Sequence, residues 1–152
     1  MALRPALPRR RLLCQAVSLL PLAPWLGAGS ARACEVQTDR FLVQHPWCRE
    51  TTPGQTEIDV FLSFTAISED DALVGFETAV AGGCRLVRMG EPGPLPMPIP
   101  AGRDLHLSPF GSCLRLTALN RPLQLGRVFP LWLHFAHSGA VQTTLNVDYP
   151  AA

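Results

Sequence analysis

The chain has 152 residues, with 13 arginines and no lysine against 12 carboxylates, and its five cysteines are spread from position 14 to position 113. That length and apolar content fit one globular domain once an N-terminal leader is removed. Setting aside the five arginines at positions 4, 9, 10, 11 and 32 leaves 8 against 12 carboxylates, a net charge of −4, and no basic patch to hold nucleic acid.

Residues 1–33 have the three parts of a secretory signal. Arg4 and Arg9-Arg10-Arg11 are basic, an apolar run extends from Leu12 to Gly27, and Ala31-Arg32-Ala33 is a small-x-small cleavage site. Pro21 and Pro24 interrupt a run already short for a membrane span. Arg9-Arg10 with Leu12-Leu13 fits a twin-arginine pattern as well as an ordinary Sec leader. Cys34 is preceded by Ala-Arg-Ala, which lacks the leucine of a lipobox. The expectation is therefore a cleaved signal peptide at 1–33, a mature domain at 34–152, and a periplasmic location reached by either route. Four cysteines remain in an oxidising compartment: Cys34, Cys48, Cys84 and Cys113. They allow three disulfide pairings, and no C-x-x-C is present.

Along the mature chain, short strands alternate with turn signals. Phe41-Leu42-Val43 opens a strand ending near His45-Pro46-Trp47, and Thr52-Pro53-Gly54 is a turn. Ile58, Val60, Leu62 and Phe64 form an inward row at period two, and Ser68–Asp71 is a polar loop tip. Strands follow at 72–76 and 83–87, where Cys84 shares the inward face of Leu86. Prolines argue against a regular strand pair between Gly90 and Pro100. Strands at 104–108 and 112–119 come next, the second placing Leu114, Leu116 and Ala118 inward and Cys113, Arg115 and Thr117 outward. Leu131, Leu133 and Phe135 then alternate, and a last strand runs from Val141 to Val147. This spacing predicts an all-β, antiparallel β-sandwich or Greek-key barrel.

Several of these segments resemble the periplasmic PCu(A)C-type copper chaperones. Leu73-Val74-Gly75 with Val80-Ala81-Gly82-Gly83-Cys84-Arg85-Leu86-Val87 resembles "LVG…VAGxVELH". Pro100-Ala101-Gly102 through Gly111 resembles "PAGGxVxLxPGG", and Leu116 through Leu123 resembles "LMGLKRPL". Val128–Phe135 is similar to "xxxPLTLTF", and His45–Arg49 with Pro53-Gly54 to "AWxRA…PG". The resemblance implies a cupredoxin-like β-sandwich that handles Cu(I) for cytochrome oxidase copper centres. Its partners would be a copper-site subunit of the oxidase or another copper chaperone.

The family's ligands are not kept in their own identity. Its "VELH" histidine falls on Val87, its His-x-Met falls on Cys113-Leu114-Arg115, and the intervening methionine has no clear counterpart. Soft sulfur suits Cu(I), so Cys113, Met89 and Met97 are the candidate metal ligands, with His106 more distant. Packing alone also accounts for Met89 and Met97. Cys113 could equally be disulfide-bonded, or be a free thiol that Arg115 makes more reactive. The alternatives to copper carriage are therefore a scaffold without metal in the same pathway, or thiol-redox chemistry at Cys113. No catalytic motif stands around His45, His106, His134 or His137, so no enzyme activity is expected.

Overall fold

A computed structural model describes residues 35–149; the expected leader at 1–33 and Cys34 lie outside the described residues. Eleven strands form it: β1 (Glu35–Gln37), β2 (Leu42–Cys48), β3 (Ile58–Thr65), β4 (Asp71–Glu77), β5 (Ala81–Arg88), β6 (Glu91–Gly93), β7 (Met97–Ile99), β8 (Leu105–Leu107), β9 (Ser112–Leu119), β10 (Val128–Phe135) and β11 (Gly139–Val147). They hydrogen-bond in the order β6-β5-β9-β3-β2-β11-β10-β4-β7, with β1 on β2 and β8 on β3. The sheet curls so that its two halves enclose one core, in the cupredoxin-like manner.

Inward rows at period two build that core. Ile58, Val60, Leu62 and Phe64 of β3, Leu114 and Leu116 of β9, and Leu131, Leu133 and Phe135 of β10 are all buried. Phe41 and Phe64 meet Phe135 edge-on, with ring centroids 4.8 and 5.9 Å from it, and so tie the two halves together.

Three expectations change. Ala118 is exposed: its φ of 51° breaks the alternation near the end of β9, and Leu119 packs against the core instead. Cys84 is also exposed: β6 covers β5 only from Leu86 to Arg88, leaving Cys84 on an open edge. The proline-rich stretch does form strands, β6 and β7, which pair with β5 and β4 and not with each other. The first long strand, β2, ends within one residue of the expected His45-Pro46-Trp47. It reaches Cys48 across a register shift at which His45 takes a φ of 45°.

Asp71 does not belong to a loop tip. It opens β4, is buried, and accepts hydrogen bonds from the backbone N–H groups of Ala72, His137 and Ser138 and from the Ser138 hydroxyl. One carboxylate thus fastens β4 to the β10–β11 turn. Burial acts to raise its pKa, but these hydrogen bonds outweigh burial and hold it below the usual carboxylate range.

Candidate functional site

The outer face of β2-β3-β9-β5 carries the candidate residues in two rows fixed by register. In the first row, Trp47 lies opposite Phe61 and Cys113 opposite Val87, while the Val60–Leu114 pair sets Phe61 beside Cys113. The Trp47 and Phe61 rings pack at 4.8 Å, and Phe61, Val87 and Cys113 are buried as a second, smaller apolar cluster. This face is therefore neither an open rim nor a bare site at Cys113.

The second row is charged. Asp59 lies opposite Arg115, and Arg115 opposite Arg85. The Arg115 guanidinium grips Asp59 with two hydrogen bonds, Nε–Oδ1 at 2.6 Å and Nη2–Oδ2 at 2.9 Å. Arg85 binds Glu57 at 2.7 Å, and Glu57 also lies 4.0 Å from Arg115. A groove of about 310 Å³ runs over this row, lined in part by Arg49, Gln55, Glu57, Asp59, Phe61 and Arg115.

These neighbours set the thiol chemistry. Burial first, then the charge and hydrogen bonding of Asp59, push the Cys113 thiol up to about 11, and Arg115 opposes them only weakly. The expectation that Arg115 would activate Cys113 is thus reversed, because Asp59 neutralises the guanidinium. Burial alone pushes Cys48 up to about 12. Cys48, Cys84 and Cys113 are not bonded to one another.

The three candidate sulfurs are not brought together. Met97 pairs with Leu73 on β4 and is sealed in the main core, whereas Cys113 lies in the smaller cluster on the outer face. Met89 is 88% exposed on the two-residue turn between β5 and β6. Its N–H donates to the Gly111 carbonyl at 3.1 Å, which brings the Met89 turn to the start of β9, close along the chain to Cys113. His106 lies across from Ser63 on the β3–β8 pair, its Nδ1 2.8 Å from the Ser63 hydroxyl. Among the described residues, no group of three or more His, Cys, Asp or Glu side chains is placed to hold a metal ion.

Sequence reasoning missed Asp59, Glu57 and Arg85. Alternation along β3 does put Asp59 on the face opposite Val60, but only the β3–β9 register shows that it meets Arg115.

This curled sandwich is the PCuAC domain fold. The chain aligns with the copper-bound PCuAC domain from PmoF2 at 19% identity and a TM-score of 0.68, over 76% of this chain and 98% of that one. It aligns with the apo PCuAC domain from PmoF1 at 21% identity and a TM-score of 0.69, over 76% and 99%. For the Cu(I) form of DR1885 from Deinococcus radiodurans the values are 20% identity and a TM-score of 0.63, over 76% and 83%. No curated protein matches the chain. The sequence model of the family described as "Putative lipoprotein LpqE-like" matches residues 42–147, and the chain belongs to that LpqE-like family.

Proposed function

We propose that this chain is a copper chaperone-like binding protein of the periplasm, exported by a leader cleaved after Ala33, and that it is not an enzyme. It serves the assembly of copper centres such as those of cytochrome oxidase by contact with a partner, and it does not carry Cu(I) on a ligand set of the PCu(A)C type. The fold shared with copper-bound PCuAC domains supports the copper-handling role. The packing at Cys113 carries the rest. The positions that the resemblance assigns to ligands hold Val87 and Cys113 in a packed row, beside an Arg115 locked onto Asp59. Burial of Cys113 in that row, with the thiol pKa it raises, disfavours the thiolate that Cu(I) needs.

A second reading, Cu(I) carried by Met89 and Cys113, is supported by the hydrogen bond that sets the Met89 turn at the start of β9. Met97 has no part in it, being enclosed in the main core.

An anaerobic Cu(I) titration of the reduced mature protein against a competing chelator decides between them. Cys34 and Cys84 are replaced by serine throughout, and Cys113→Ser and Met89→Ala are run alongside. The expected result is no stoichiometric Cu(I) uptake against the chelator and three superimposable curves. Tight uptake that falls at least tenfold in either variant would establish the second reading and overturn the first.

A further inference from the structure

The two halves of the sandwich treat their outward carboxylates differently. On β3-β9-β5, Glu57 and Asp59 each meet an arginine. On the other half, β4, β10 and β11 contain no arginine or lysine, and the outward carboxylate is Glu77. Register places it in a row. Trp132 of β10 lies opposite Glu77 on one side and opposite Gln142 of β11 on the other. Residues directly opposed across strands share a face, with Cβ atoms about 4.5–5.5 Å apart. The alternation that buries Leu131 and Leu133 turns Trp132 outward, and all three members of the row are exposed.

Neither the ring nor the carboxylate is used up internally. Trp132 is 37% exposed, and among the described residues its indole packs on no other ring and its N–H has no hydrogen-bond partner. The one contact to Glu77 is from His134 Nε2 to Oε1 at 3.3 Å, long for a charge-assisted bond, and Oε2 has none. Gly75 and Ala140, which oppose His134, add no bulk beside the row, so a planar group can lie over the indole. An exposed indole face beside an unpaired carboxylate attracts a cation through both groups at once. A guanidinium suits the row because it is planar and weakly hydrated, stacks on aromatic faces, and directs its N–H groups outward in its own plane. Glu77 offers an acceptor on one side and the Gln142 amide oxygen offers one on the other.

We propose that Trp132, Glu77 and Gln142 dock an arginine side chain of a partner protein, its guanidinium stacked on the indole between the carboxylate and the amide. The charge of the whole chain favours such a partner: beyond the expected leader, 8 arginines face 12 carboxylates, a net of −4, which attracts a basic surface. An anionic or apolar partner would cover Glu77 without pairing it. The site stands on the half of the sheet that does not carry Cys113, so it is independent of the copper reading.

Nuclear magnetic resonance of the nitrogen-labelled mature chain tests this. Beyond the expected leader the sequence has two tryptophans, Trp47 and Trp132, so two indole N–H signals are present, and Trp132→Phe assigns them. N-acetyl-arginine amide is titrated at constant ionic strength beside N-acetyl-citrulline amide, which has nearly the same shape and no charge. The expected result is a concentration-dependent shift of the Trp132 signal with the arginine compound, at least threefold larger than with the citrulline compound, while Trp47 stays in place. Glu77→Gln should remove most of that shift, and Glu91→Gln, at an exposed carboxylate on β6, should remove none. An equal response to the two compounds, no response, or a shift that survives Glu77→Gln overturns the proposal. Cellotetraose is run as a rival ligand for an exposed ring: a larger shift with this neutral sugar than with the arginine compound assigns the face to a glycan and also overturns it. The comparison of arginine with citrulline uses the unsubstituted chain, so it stands whatever a variant does to folding.

Discussion

Replacing Asp71 by alanine is expected to cost about 3 kcal/mol of stability at neutral pH, roughly 10 °C in Tm for a domain of this size. The reason is the number of partners left behind. Three backbone N–H groups and the Ser138 hydroxyl converge on one buried carboxylate, and the alanine variant leaves these donors without an acceptor. The loss depends on pH with a definite sign. Because the native pKa is held below the unfolded value of about 3.9, the stabilisation is fully present above that value and is lost as pH falls through the native pKa. Urea unfolding at pH 7 and at pH 3 should therefore show a wide gap between native and Asp71→Ala proteins at pH 7 and a narrower one at pH 3. A gap that does not change with pH would mean that Asp71 acts by packing and not by charge.

The second large effect is expected at the Asp59–Arg115 pair. Either Asp59→Ala or Arg115→Ala removes a bidentate, partly exposed ion pair, at a cost of about 1–2 kcal/mol. Their effects on Cys113 should be opposite. Asp59 helps to hold the thiol up near 11, while Arg115 works weakly the other way. Losing Asp59 lowers the thiol pKa, and each unit of decrease raises the thiolate population about tenfold at neutral pH. Iodoacetamide labelling of Cys113 at pH 8, followed by mass spectrometry, should be markedly faster in Asp59→Ala and no faster in Arg115→Ala. Equal acceleration in both would mean that loosening of the β3–β9 pair, not charge, exposes the sulfur. In the unsubstituted protein the exposed Cys84 should label well before Cys48 and Cys113, which burial keeps protonated.

Much of the fold was legible because burial repeats with the strand period. Ile58, Val60, Leu62 and Phe64, and Leu131, Leu133 and Phe135, keep the period in sequence, and both rows are core. The readings that failed did so where backbone conformation or position in the sheet overrides alternation. Ala118 obeys the period in sequence, but its positive φ breaks the alternation. Cys84 obeys it too, yet it stands on an edge that β6 does not reach. Asp71 looked like a loop residue because nothing local reveals that a turn more than sixty residues later will supply its donors. The candidate site was the least legible part. Cys113, Met89 and Met97 were chosen for sulfur chemistry, but whether sulfurs converge depends on strand register. Register sends Met97 to the core and surrounds Cys113 with Phe61, Val87 and, one row on, an ion pair.

One pairing governs the order in which the domain can assemble. Among the described strands the only parallel contact joins β2 to β11, through Trp47–Asn146 and Cys48–Val147, and it is the seam between the two halves of the curled sheet. The seam is built from the first long strand and the last. A growing chain can form local hairpins such as β5–β6, but it cannot join its halves until residues near 147 have been made. Until then β2 waits with one side uncovered, and closure of the sandwich cannot precede the synthesis of β11.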